Sequence, residues 1–295
     1  MKRRGRPASP VALAYGSVAL CASLWGLGGV AAKAVFSSGI PPQALLTLRL
    51  WGASLLFVLI LRRRLWPAPS SAAALLALGA TMAAVQFTFY ATINLLGVAT
   101  AIFLQYTGPA MIALYLWLRG ERPNWWAVGV ATAGCLLLVG DGMRLSSLGL
   151  AYGLASAALL GVTNVLTRER VARGDDPWAL VAWSMAIAAL MWSFVVPPWR
   201  AVGEVPGAGV WVLAAAITVF ATVLPFGIFS AALRTLDAGR ASVVAMLEPV
   251  VGAIGAWLLL GEGMLPGQLA GGALILSAVG ILQAEGRRRK GAAQA

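Results

Sequence analysis

Apolar runs of about 20 residues recur from one end of the chain to the other, and roughly that length is what a helix needs to cross a hydrocarbon core about 30 Å thick. They fall near residues 11–34, 42–61, 71–93, 97–118, 124–140, 147–167, 178–196, 209–233, 239–260 and 266–283. The pattern predicts an all-α membrane protein of ten transmembrane helices, and the short links predict that consecutive helices pack as antiparallel neighbours. Of the 295 residues, 60% are hydrophobic and 11% charged, against about 25% charged in an ordinary soluble domain. No stretch remains for a soluble catalytic domain. The basic start, Lys2 to Arg6, followed by apolar Val11 to Val30, has the outline of a secretory signal. The run is too long for one and others come after it, so a retained first helix is expected.

The net charge is +12, which in a soluble protein would suggest nucleic acid. Here the basic residues cluster between apolar runs, a mark of membrane topology, and no nucleic-acid partner is expected. With the N-terminus in the cytoplasm, the inner side receives Lys2, Arg3, Arg4, Arg6, Arg62 to Arg64, Arg119, Arg122, Arg168, Arg170, Arg173, Arg234, Arg240 and Arg287 to Lys290. Only Arg144 and Arg200 fall outside, with Lys33 and Arg49 in or at the edge of spans. The positive-inside rule therefore places both termini in the cytoplasm.

The chain also resembles itself. A shift of 135 residues puts Ala22, Leu24, Gly26, Val30, Gly39, Pro42, Ala44 and Leu45 on Ala157, Leu159, Gly161, Val165, Gly174, Pro177, Ala179 and Leu180. A shift of 140 puts Leu96, Ala101, Pro109, Ala113, Trp117 and Leu118 on Leu236, Ala241, Pro249, Ala253, Trp257 and Leu258. The matches divide the chain into two five-helix repeats, 1–143 and 144–295; because five is odd, the second is inverted relative to the first. Inverted repeats are a recurrent architecture of secondary transporters, which expose a midplane site alternately to each side.

Several segments resemble the EamA-type transporters of the drug/metabolite transporter superfamily. They are Arg240-Ala241-Ser242, Leu247-Glu248-Pro249, Ala256-Trp257-Leu258-Leu259-Leu260-Gly261-Glu262, the small-residue helix Gly271 to Leu282, Leu24-Trp25-Gly26, Pro41-Pro42 and Leu48-Arg49. The resemblance implies two inverted five-helix halves around a central cavity and a cargo of small metabolites, often amino acids moved outward. Exporters of aromatic amino acids look closest in style. One departure is that Thr107-Gly108-Pro109 stands where the second half has Leu247-Glu248-Pro249, so the acidic residue is not duplicated. A multi-pass protein of a bacterial inner (plasma) membrane is expected, working as a monomer with an oligomer left open.

Glu248 is the one acidic residue within the spans, near mid-depth of the ninth. Intramembrane ionisable groups are costly and face cavities or partners, so it is a candidate for substrate binding or coupling; the alternative is a residue that only orders the bundle. Arg49, roughly 10 Å from the outer end of the second span at 1.5 Å per residue, either binds a substrate carboxylate, pairs with Glu248, or snorkels. Pro109, Pro225 and Pro249 interrupt the fourth, eighth and ninth spans, each removing a backbone donor, and are candidate gating or helix-break points. Gln86, Tyr90 and Asn94 share one face of the third span; with Gln105, Tyr106, Asn164 and Trp25 they are candidate substrate contacts or, alternatively, interhelical links.

Two small-residue patterns, Gly149 to Gly153 and Gly267 to Gly271, permit close helix approach. No Walker sequence occurs, and Gly26, Gly28 and Ala31 are preceded by no strand, so neither ATP nor a dinucleotide is expected and no cofactor is implied. There is no histidine, no clustered intramembrane carboxylate for a metal and no Ser/His or Cys/His pair. Cys21 and Cys135 read as packing residues, and Asp175 and Asp176 as solvated loop charges. Secondary transport of small metabolites, most consistent with amino-acid export by alternating access, is thus favoured over a laterally opening translocator of lipids or drugs, and further over a membrane enzyme acting on lipid-linked substrates.

Overall fold

The structure, a computed structural model, describes residues 10–65, 71–96, 98–139, 146–261 and 266–294. Lys2, Arg3, Arg4, Arg6, Arg144 and Glu262 lie outside the described residues, as do the side chains of Arg63, Arg64, Asn94 and Arg287 to Lys290. All regular structure in the described part is helical. In order, the helices are α1 (Pro10–Phe36), α2 (Pro42–Leu61), α3 (Ala72–Leu96), α4 (Val98–Gln105), α5 (Gly108–Leu118), α6 (Trp125–Val139), α7 (Ser147–Ala172) and α8 (Pro177–Trp192). Next come α9 (Pro198–Gly203), α10 (Ala208–Thr218), a π-helical turn (Val219–Val223), α11 (Leu224–Ala232), α12 (Ala238–Ala245), α13 (Leu247–Leu260) and α14 (Pro266–Gln294).

Seven stretches among the described residues are long and apolar enough to cross a membrane. Trp125–Leu137, Pro177–Trp192 and Pro266–Leu282 are shorter apolar helices. Helix ends reflect local chemistry. Pro42 opens α2 at a position whose N–H would have no intrahelical acceptor, and Asp176 and Asp237 cap α8 and α12 through hydrogen bonds from Ala179 N (2.9 Å) and Arg240 N (2.8 Å). Gly261, in the left-handed region at φ 69°, ends α13.

Three apolar runs are not single regular helices. The fourth divides into α4 and α5, the ninth into α12 and α13, and the eighth carries the π-helical turn two residues before Pro225. Each break lies at or beside a proline, whose ring removes a backbone donor. The seventh run differs from expectation: α8 stops at Trp192, and α9 is a separate short helix opened by Pro198.

α1 packs along α13 and against α10, the π-helical turn and α11, while α7 packs along α3 and against α4 and α5. α2 lies on α8, and α6 on α14. Small residues set these distances: a Cβ on Gly26 would stand 2.5 Å from the Glu248 carbonyl oxygen, and one on Gly134 2.6 Å from that of Gly271. The two small-residue patterns serve packing within the chain, since Gly149 and Gly153 abut Leu96 and Leu104. The largest core joins Val18 and Cys21 of α1, Ala131 and Cys135 of α6, Val244 of α12 and Ile275 of α14.

One loop reading needs correction. Asp175 is not a solvated charge but is buried, its carboxylate held by Arg170 at 2.7 Å. The link is short and Gly174, at φ 101°, turns it back so that Asp175 meets the end of α7.

Candidate functional site

Glu248 stands in the first turn of α13, just beyond the α12–α13 break at Met246. A carboxylate there lies beside unsatisfied N–H groups of a helix start, which favour negative charge. Its side chain interacts with the Tyr106 hydroxyl, and Tyr106 itself sits in the α4–α5 break. The two interrupted helices therefore meet side chain to side chain. Pro249 and Pro109 occupy the opening turns of α13 and α5.

Arg49, on α2, reaches across to the π-helical turn, where its Nε donates to Thr222 Oγ1 at 3.1 Å. The guanidinium also interacts electrostatically with Tyr90 and Glu248, so α2, α3, the π-helical turn and α13 contribute to one polar cluster. Tyr90 packs between Phe89 and Trp192, with ring centroids 6.1 and 6.3 Å away. Pro225 is buried near the start of α11, and its carbonyl accepts from Cys21 Sγ at 3.3 Å.

Trp25 precedes Gly26 at the crossing of α1 and α13. Its ring packs on Phe226 and Phe229 at 5.3 and 5.6 Å, and Phe103 and Tyr106 lie against the same core. Among the described residues, the Trp25 indole N–H is the one buried side-chain polar atom without a hydrogen-bond partner, and such an orphan donor is costly in apolar surroundings.

Other candidates are spent on links between helices. Gln105 Nε2 donates to Ser156 Oγ at 3.1 Å, joining α4 to α7, and Asn164 Nδ2 donates to Ser242 Oγ at 3.1 Å, joining α7 to α12. Gln86 is half-buried on α3, and the Asn94 side chain is outside the described residues. Thr222 and Ser156 escaped the sequence reading because single hydroxyls in apolar runs carry no pattern, and Ser242 entered it only within Arg240-Ala241-Ser242; Pro225, three residues after Thr222, was the nearest cue. No group of three or more His, Cys, Asp or Glu side chains that could hold a metal occurs among the described residues.

Helices of this length and hydropathy, with ionisable side chains gathered where they break, define a multi-pass integral membrane protein with a polar centre. The sequence profile of the EamA-like transporter family matches residues 12–140 and 147–283. The chain belongs to that family, within the drug/metabolite transporter superfamily, and is a membrane transporter of small molecules, not an enzyme. It is 30% identical to the uncharacterized inner membrane transporter YicL of Salmonella typhimurium, over 94% of this chain and 97% of that one. It is 29% identical to the threonine/homoserine exporter RhtA of Escherichia coli, over 86% and 85% of the two chains. A protein of known crystal structure, 20% identical, shares the fold with a TM-score of 0.79 over 95% of this chain and 98% of its own.

Proposed function

We propose that the chain exports neutral amino acids by alternating access, with Arg49 receiving the substrate carboxylate and Glu248, beside Tyr106, receiving the ammonium group. One observation carries the reading. Arg49, Tyr90, Tyr106 and Glu248 come together from α2, α3, the α4–α5 break and α13, and each keeps accessible surface, which we read as facing a space inside the bundle. An opposed cation and anion around such a space suit a zwitterion, whose charges lose water on entry and need replacements. Trp25, with its unpartnered N–H, forms an aromatic wall with a donor for the same ligand, and Gln86 lines the α3 side. RhtA, with its threonine and homoserine cargo, supports amino acids as the substrate class; aromatic amino acids are tested beside them.

The chain crosses an inner (plasma) membrane ten times, as two inverted halves, 1–143 and 144–295, with both termini in the cytoplasm, and works as a monomer. Support comes from the packing: α1 lies on α13 and on α10–α11 as α7 lies on α5 and α3, while like meets like in the α2–α8 and α6–α14 pairs. The family profile also matches once in each half. Breaks at Pro109, Pro225 and Pro249 are where helix segments pivot between inward and outward states.

The test is uptake of labelled threonine, homoserine, methionine, phenylalanine and tryptophan into liposomes holding the purified protein, with and without a pH gradient. Saturable flux is expected, reduced about 10- to 100-fold in Arg49→Gln and in Glu248→Gln, as loss of charged hydrogen bonds of about 1.5–3 kcal/mol each predicts. A folded protein that carries none of the panel would sink the amino-acid reading and bring lipids or drugs forward.

A further inference from the structure

The π-helical turn Val219–Val223 places one threonine differently from other helical threonines in the chain. Thr47, Thr88, Thr92, Thr132, Thr163 and Thr218 each close their hydroxyl onto the carbonyl four residues back. Thr222 instead donates to the carbonyl of Ile217, five residues back, at 3.4 Å. The extra residue in this turn rotates the remainder of the span by about 100° relative to a regular helix. Thr222, 2% exposed, thereby faces α2 and accepts Arg49 Nε at 3.1 Å. A hydroxyl has one proton; here it is committed to Ile217, so the side turned to Arg49 is acceptor only. With Nε held, the guanidinium rotation is fixed and its two terminal nitrogens remain for a ligand, in a charge that also interacts with Tyr90 and Glu248.

We propose that Thr222 is a positioning residue that locks Arg49 so that its two terminal nitrogens grip a carboxylate end-on, making the transporter select acids over their amides. A planar fork recognises a carboxylate through two parallel hydrogen bonds only when its plane is fixed. A guanidinium free to turn about its last bonds remains positively charged but loses that geometry. The inference rests on Arg49 as the carboxylate-binding group.

The experiment compares L-threonine with L-threonine amide as competitors of labelled L-threonine uptake into liposomes, for the wild type, Thr222→Val, Thr222→Ser and Arg49→Gln. Thr222→Val keeps the shape and removes the acceptor. It is expected to raise KM for threonine roughly tenfold with kcat little changed, the effect of one lost charge-assisted hydrogen bond, and to reduce the preference for acid over amide by a similar factor. Thr222→Ser restores both. Should the valine variant fail to insert, Thr222→Ala replaces it with the same expectation. If Arg49→Gln abolishes the preference while the valine variant retains it, the positioning role is overturned and the Arg49 assignment stands. If Arg49→Gln also retains it, or threonine is not carried at all, the assignment of Arg49 falls and the positioning role with it.

Discussion

Arg170 and Asp175 meet at 2.7 Å with side chains 8% and 6% exposed, and the Asp175 Oδ2 atom takes bonds from both Nε and Nη2. Removing one partner of a buried pair leaves the other charge without compensation, at a cost of about 3–5 kcal/mol. Asp175→Asn is therefore expected to lower the thermal unfolding midpoint in detergent by several degrees, and combining it with Arg170→Met to recover part of the loss. Equal midpoints for the single variant and the wild type would show the pair to be dispensable. At this scale the sequence revealed residue types better than their duties. Glu248 stood out because a carboxylate within an apolar run is conspicuous, and the structure puts it against Tyr106, another candidate. Gln105 and Asn164 were equally conspicuous, yet their partners Ser156 and Ser242 are 51 and 78 residues distant. Nothing local distinguishes an amide that will link helices from one that will meet a ligand.

Among the elements, α1 and α13 come closest where Gly26 faces the backbone of Glu248 and Gly252, with Val251 Cβ also only 3.1 Å from the position a Cβ would take. The obstacle is largely main chain, which cannot rotate aside. Gly26→Ala is expected to cost about 1–3 kcal/mol through overpacking and, by prising α1 from the start of α13, to reduce transport more than stability. Flux and melting measured on the same preparation check this; unaltered flux would mean that the crossing is loose in the membrane. Proline made the three interrupted runs readable, because a missing N–H acts on its own neighbourhood. The π-helical turn was not readable, since no residue type requires it and the contact with Arg49 that it serves spans 173 positions. α9 was missed because six residues around Pro198 leave no periodicity to detect.

For the whole molecule, charged cross-links between spans gather at one end of the bundle. Arg170–Asp175, Arg234–Asp176 and the Arg240 pairs with Asp237 and Glu285 tie the α7–α8 link to the α11–α12 link and the latter to α14. Asn124 Nδ2 adds a 3.0 Å bond to Glu285 that brings in the start of α6. All these groups belong to the side that the basic residues assign to the cytoplasm. On the opposite side, the described ion pair Arg200–Glu204 is confined to α9 and its C-cap residue, while hydrogen bonds from Trp51 Nε1 to Ser193 Oγ at 2.9 Å and from Thr47 Oγ1 to the Val196 carbonyl at 3.2 Å join α2 to the end of α8 and the link after it. The charged cross-links restrain the face on which they lie, and their exposed members are individually weak but act as a network. In a background with Cys21 and Cys135 replaced, Ser38→Cys is expected to react with a membrane-impermeant maleimide in intact cells, and Arg173→Cys only after lysis. The reverse pattern would invert the assignment of faces. With the orientation established, Glu285→Gln should raise the labelling rate of a cysteine at Val243, which lines the cavity of about 260 Å³ beside Arg240, in inside-out vesicles several-fold. The substitution removes one anchor from Arg240 and leaves Asp237 in place, so a partial loosening is the physical expectation, whereas an unchanged rate would mean that helix packing alone holds this end of the bundle together.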